Sequence, residues 1–181
     1  MNQRIEELKR EMEQAGKDGG DWRSAYELLM KEVYGQPVLY FALSRTEYDP
    51  VTATSKPLVS TKDFNGQPSL YVFSDGDLAF NWMNHYRHVT DDGHGLIGMV
   101  ENAGYGLYGV FTMAAHLGVQ MIMLDEGGDY VGISLKDFLK ANETDPRDMT
   151  VMLSQEELER LKQGGQPDVG FTRIRAMKLK L

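Results

Sequence analysis

The sequence predicts an α/β fold, with α+β as the neighbouring possibility, on three observations. Short apolar runs of strand length recur along the chain: VLYFALS at 38–44, GLIGMVE at 95–101 and VQMIMLD at 119–125. Stretches with helical spacing of apolar residues lie between and before them. Asn65-Gly66 supplies the positive φ angles of a tight hairpin, which favours a mixed sheet over a purely parallel one. The expected architecture is one domain with a mixed sheet, an early β-hairpin, packed helices and a helical N-terminal extension.

The elements follow in order. Ile5, Leu8, Met12 and Ala15 recur at spacings of three and four, so 1–15 reads as a charged helix with one apolar face. GKDGG at 16–20 breaks it, and Asp21 can cap a second helix whose stripe is Trp22, Ala25, Tyr26, Leu29 and Val33. Gly35 and Pro37 end that helix. VLYFALS is too short and too rich in β-formers for a helix, so it reads as a buried strand. Residues 45–56, with Asp49-Pro50 and several Thr and Ser, read as a surface loop. PLVST at 57–61 and QPSLYVFS at 67–74 flank KDFNG as a hairpin.

Ser74, Asp75 and Asp77 offer caps for a helix through about His88, with Leu78, Trp82 and Tyr86 as apolar positions. TDDGHG at 90–95 is a turn before strand 95–101. A helix over about 105–117, closed by Gly118, leads to strand 119–125 and the turn DEGGD at 125–129. YVGISL at 130–135 reads as a strand running into a helix at about 134–142. SQEE at 154–157 is a capping box, in which Ser154 and Glu157 each satisfy a backbone N–H of a helix ending near Gln163. FTRIRAMKLKL forms a basic terminal strand. The division expected is 1–35 as helical extension, 36–143 as the α/β domain, and 144–181 as a helix and basic strand packed on the same domain.

Composition narrows the function. A chain of 181 residues can bury roughly 70% of its unfolded surface without disulfides or a structural metal. Zero cysteines remove thiolate sites and cysteine nucleophiles. The formal charge of −8 argues against a broad nucleic-acid footprint. No apolar run approaches the ~18 residues of a membrane span, and MNQRIEELKR lacks the apolar core of a secretory signal. The expectation is a cytoplasmic, acidic protein with no membrane and no nucleic-acid partner.

One spacing resembles cofactor chemistry. Gly104, Gly106 and Gly109 form a literal G-x-G-x-x-G between a strand and a helix, and Asp125 ends the next strand. In a dinucleotide site the glycines permit the turn, the approach of pyrophosphate and close helix–strand packing, and the acid holds a ribose hydroxyl. Glu101 beside the cradle, the short distance to Asp125 and the preceding hairpin weigh against that use. The alternative is that small residues let the helix pack tightly on the sheet.

Other polar residues have plainer readings. His85, His88 and His94 fall within ten residues, but Arg87 separates the pair and no Cys completes a metal site. Histidines in a last helical turn, His116 included, interact favourably with the helix dipole. Asp91-Asp92 and Asp125-Glu126 sit beside glycine, where acids form turns, and no nucleophile has a base beside it. No catalytic residue, metal ligand or cofactor is therefore favoured. Arg173, Arg175, Lys178 and Lys180 fit either an acidic or phosphate ligand or the solvated face of an edge strand.

The order of blocks carries a family resemblance. PVLYFALS at 37–44, KPLVST at 56–61 and QPSLYVFSDGDLAFNW at 67–82, then helix 105–117 and LGVQMIMLDEGGDYVGISLKDFLK at 117–140, resemble the N-terminal domain of the SseB-type, enhanced-serine-sensitivity family. Ser74 stands where that family often has a Thr-Ser pair. The resemblance covers about 36–143 and rests on apolar blocks and turns. It implies a small α/β domain with no established enzymatic activity or agreed ligand, and it places the glycine motif at an ordinary helix–sheet contact. Longer family members carry a second C-terminal domain, whereas here only 144–181 follow the match. The resulting expectation is a non-enzymatic binding or regulatory module that recognises a protein partner. The alternatives are a nucleotide-binding protein using Gly104, Gly106, Gly109 and Asp125, and an immunity-like or secretion-associated accessory protein.

Overall fold

Alternation of side chains along a strand sends odd and even positions to opposite faces, and here both faces are apolar. In the computed structural model, which describes residues 2–61, 65–103, 106–116, 118–142 and 173–181, the chain runs α1 (Gln3–Lys17), α2 (Trp22–Tyr34), β1 (Val38–Ala42), β2 (Thr54–Ser55), β3 (Val59–Ser60) and β4 (Ser69–Phe73). It continues as α3 (Gly76–His85), β5 (His94–Glu101), α4 (Gly106–His116), β6 (Met121–Leu124), β7 (Val131–Ser134), α5 (Leu135–Ala141) and β8 (Ile174–Lys180). The α/β class and the mixed sheet are as the sequence predicts. The capping-box helix at 154–163 and Gly104 lie outside the described residues.

The sheet order is β2-β8-β5-β1-β4-β6-β7, with β3 also pairing β4. Every described pair is antiparallel except β4 with β6, in which Ser69 faces Met121 and Val72 faces Leu124. The predicted hairpin is present as β3–β4, with Val59 opposite Leu70, and Asn65 and Gly66 have φ of 50° and 78°. All five residues of β4 are buried, as a strand covered on both faces requires.

Leu39, Phe41, Leu43, Leu70, Val72, Ile122 and Ile133 meet residues of α1, α2, α4 and α5 in one cluster. Ala42, Tyr71, Phe73, Ile97 and Met123 meet Ala79, Trp82 and Met83 of α3 in the other. Ile5 and Leu8 of α1 and Leu29 and Val33 of α2 belong to the first cluster and are fully buried. The N-terminal helices thus share the core of the sheet.

Two local readings are corrected. The stretch 45–56, read as a surface loop, contributes β2, which pairs Thr54 with Arg175 and Ser55 with Ile174. Its partner lies far along the chain, so no local pattern announces it. The terminal strand pairs with β2 at Ile174 and Arg175 and with β5 from Ala176 to Lys180, and its Arg173, Arg175, Lys178 and Lys180 are exposed, as the solvated face of an edge strand is expected to be. Helix α3 ends at His85, because Arg87 takes a positive φ of 50° and the His88 amide returns to the Met83 carbonyl at 2.9 Å. His88 therefore leaves the helix and turns inward.

Candidate functional site

Two polar arrangements stand out: one at the carboxyl ends of β4 and β6, the other where α1, α2, α5 and β7 converge. In open α/β sheets the carboxyl ends of parallel strands form the usual ligand crevice. Here β4 leads to Ser74 and β6 to Asp125, whose φ of 58° turns the chain away. The Asp125 carboxylate accepts from Ser74 N at 2.7 Å and Ser74 Oγ at 2.9 Å. Lys9 of α1 reaches across and places its ammonium 2.7 Å from Asp125 Oδ2 and 2.8 Å from Glu6 Oε1. Lys9 is 5% exposed and Asp125 1%. A buried charge needs such pairing to be tolerated, so Lys9 fixes α1 over the crevice. Beside it the Trp82 indole N–H donates to Glu126 Oε2 at 2.7 Å.

The residues of the glycine motif are used within the fold. A Cβ on Gly106 would lie 2.5 Å from the Glu101 carbonyl oxygen, closer than real Cβ atoms come, so glycine lets α4 start against the end of β5. Gly109 is buried within α4, and the Asp125 carboxylate faces Lys9 and Ser74 as described. The structure does not bring Asp125 and Gly106 into one hydrogen-bonded cradle among the described residues.

The histidines separate. His88 is 8% exposed, and its Nε2 lies 2.8 Å from the Leu43 carbonyl, which it meets as donor when neutral or charged. Burial lowers its pKa, the Leu43 bond partly opposes this, and Arg45 adds to the lowering. Its ring also lies 5.2 Å from the Trp82 ring. His94 sits 3.4 Å from Asp92, which is bound by Lys178 at 2.6 Å and by Thr90. These contacts hold Asp92 far below the ordinary carboxylate range, the Lys178 hydrogen bond first among them. Among the described residues no group of three or more His, Cys, Asp or Glu is arranged to hold a metal ion. No described helix is long and apolar enough to cross a membrane.

The second arrangement begins with the cap of α2. Asp21 accepts from Arg23 N at 3.1 Å and Ser24 Oγ at 2.8 Å, and these bonds lower its pKa. The cap starts the helix at Trp22, which overhangs the sheet end and is 42% exposed. Tyr26, one turn on, meets it edge-to-face at 5.7 Å, while the Arg23 guanidinium lies 5.8 Å from the Trp22 ring. The Tyr26 hydroxyl accepts from Ser134 N at 2.9 Å, and burial raises its pKa. Ser134 in turn caps α5 by accepting from Asp137 N at 3.3 Å, and Asn142 ties α5 to α2 through the Met30 carbonyl at 3.3 Å.

This framework leaves two open grooves on either side of the aromatic pair. One, of about 380 Å³, runs between α2 and α5 past Met30 and Lys140. The other, of about 440 Å³, runs between the C-terminal half of α1 and β7, past Met12, Glu13 and Gly132. Both are lined by Trp22, Tyr26 and Asp137. Sequence reasoning places Trp22 and Tyr26 only on a helical stripe. Trp22 is exposed and Tyr26 half-buried, a difference that periodicity does not encode.

No protein-family model, no curated protein and no solved structure matches the chain. What fold and site define together is an α/β domain with a filled strand-end crevice and a grooved aromatic face.

Proposed function

We propose that this protein is a non-enzymatic binding module that recognises a protein partner on the face carrying Trp22 and Tyr26. The observation that carries the reading is that two adjoining grooves share this aromatic pair. Aromatic side chains give large contact area at small entropic cost, and they are enriched where partners anchor. The polar groups that could serve chemistry are instead engaged inside the molecule: Asp125 with Lys9 and Ser74, and His88 with Leu43. The resemblance to SseB-type domains and a cytoplasmic setting are part of the same proposal, supported by the order of sequence blocks and the acidic composition.

The test is a displayed-peptide selection on the full chain, with counter-selection on Trp22→Ala. The reading expects enriched peptides whose binding is lost in Trp22→Ala and kept in Glu7→Ala, a change on the exposed face of α1. Enrichment that ignores Trp22 would overturn it.

A further inference from the structure

The strand at the rim of the grooved face has outward backbone groups at Gly132 that meet no partner among the described residues. Among the described residues β7 ends the sheet and pairs with β6 alone, with Met123 opposite Gly132 and Ile122 opposite Ile133. Leu135 N donates to Gln120 O at 2.8 Å, one step along the same register. Antiparallel ladders alternate between pairs that exchange hydrogen bonds and pairs that turn theirs outward. Leu135 and Ile133 therefore face β6, while Ser134 and Gly132 face out. The Ser134 amide follows this pattern, since it donates outward to the Tyr26 hydroxyl. The outward N–H and C=O of Gly132 have no hydrogen-bond partner among the described residues. Natural edges are ordinarily protected by charge, proline or cover, yet β7 reads VGIS, with none of the first two.

Beside Gly132 lies the groove of about 440 Å³, with Met12, Trp22 and Tyr26 as apolar wall. Its charged lining residues are Glu13 and Asp137, with no cationic side chain, in a chain of formal charge −8. Asp137 has no ion-pair partner among the described residues, and Glu13 shares only the exposed Lys17 at 2.6 Å. A backbone edge, an apolar slot and two carboxylates, of which Asp137 has no ion-pair partner among the described residues, occur together.

We propose that β7 accepts an extended, basic segment of a partner protein as an added strand, bonded to the backbone of Gly132. This rests on reading the Trp22–Tyr26 face as the docking surface, and names the partner's chemistry there. The segment carries a large apolar side chain for the groove, and Lys or Arg on the same face, two positions away, for Glu13 and Asp137. Strand addition of this kind draws affinity from main-chain bonds and specificity from alternate side chains.

The experiment uses the ¹⁵N-labelled full chain and the blocked peptide acetyl-Thr-Lys-Val-Phe-Val-Lys-Thr-amide, which puts both Lys on the face of Phe two positions away, with a control in which Glu replaces each Lys. The Gly132 amide should exchange at least about tenfold more slowly with saturating basic peptide, while Ser134, already bonded, changes little. The acidic control should leave Gly132 unchanged, and added salt should weaken the basic complex. N-methylation of alternate peptide amides should abolish binding only at the positions facing β7. Three results overturn the proposal: Gly132 protection in the free protein, no protection by the basic peptide, or equal protection by both peptides. If selected peptides depend on Trp22 but leave Gly132 unprotected, docking on this face stands and strand addition falls. If no selected peptide depends on Trp22, the docking reading itself falls.

Discussion

Lys9→Met removes an ammonium that lies 2.7 Å from Asp125 Oδ2 while keeping a long unbranched stem of good helix propensity. What remains is a carboxylate 1% exposed, held only by Ser74 N and Ser74 Oγ. Removing one partner of a buried ion pair costs about 3–5 kcal/mol, because the other charge stays desolvated. At roughly 2–4 °C per kcal/mol for a chain of this size, Tm should fall by about 6–20 °C. Asp125→Asn should cost less, since Lys9 keeps Glu6 at 2.8 Å and Asn tolerates the positive φ. The double variant removes both charges of the pair, so its loss should fall short of the sum by about 1–3 kcal/mol. Urea unfolding of the four proteins, extrapolated linearly, gives the cycle. A Lys9→Met loss under about 1 kcal/mol, or an additive cycle, would refute the argument, because α1 would then not be holding Asp125 away from water.

Three further outcomes are expected. His88 titrates below its reference of 6.5, so the folded state binds fewer protons and stability falls as pH drops through about 6.5. His88→Gln should flatten that acid limb in urea midpoints measured across pH, and an unchanged slope would remove His88 as its cause. Gly106→Ala should cost about 1–3 kcal/mol by urea unfolding, since the Glu101 carbonyl 2.5 Å from the new methyl is backbone and must move; a neutral result would mean that α4 starts elsewhere. Trp22→Ala should cost about 1 kcal/mol or less, being half-exposed and held mainly by one edge-to-face contact. Its emission should lose the solvent-exposed component and keep that of Trp82, which is 5% exposed.

The strands that carry the core were legible because their signal is local. β1, β4 and β6 appear as apolar runs, and Asn65-Gly66 marks the β3–β4 hairpin. What stayed hidden depends on distant partners. β2 is two residues long and exists because Ile174 and Arg175 return beside it. Lys9 reads as one more charge on a charged helix, although it lies one turn from Ile5 and next to Leu8, within the buried face. That spacing is the signal that marks it for burial. In the disfavoured nucleotide alternative Asp125 would hold a ribose hydroxyl, yet its position at a strand end is equally what an ammonium from a covering helix requires. Trp22 and Tyr26 both fit the apolar stripe of α2, yet Tyr26 is half-buried against the core while Trp22 is exposed, a difference the stripe does not encode.

The two polar arrangements are connected through α1. Lys9 precedes Met12 by three residues, about one helical turn or 4.5 Å of rise, and Met12 and Glu13 form the α1 wall of the groove beside β7. Ile5, Leu8 and Lys9 are the buried residues of this helix, all in its first half. Its second half, ending at Lys17, lies beside α2, where Met12 and Glu13 share the groove with Trp22 and Tyr26. The ion pair with Asp125, together with buried Ile5 and Leu8, holds the first half of α1 against the sheet. A buried ion pair is a weak source of stability compared with apolar packing, but its geometry is directional. The Lys9–Asp125 pair thus joins the first half of α1 to the strand-end crevice, one helical turn from the groove wall at Met12.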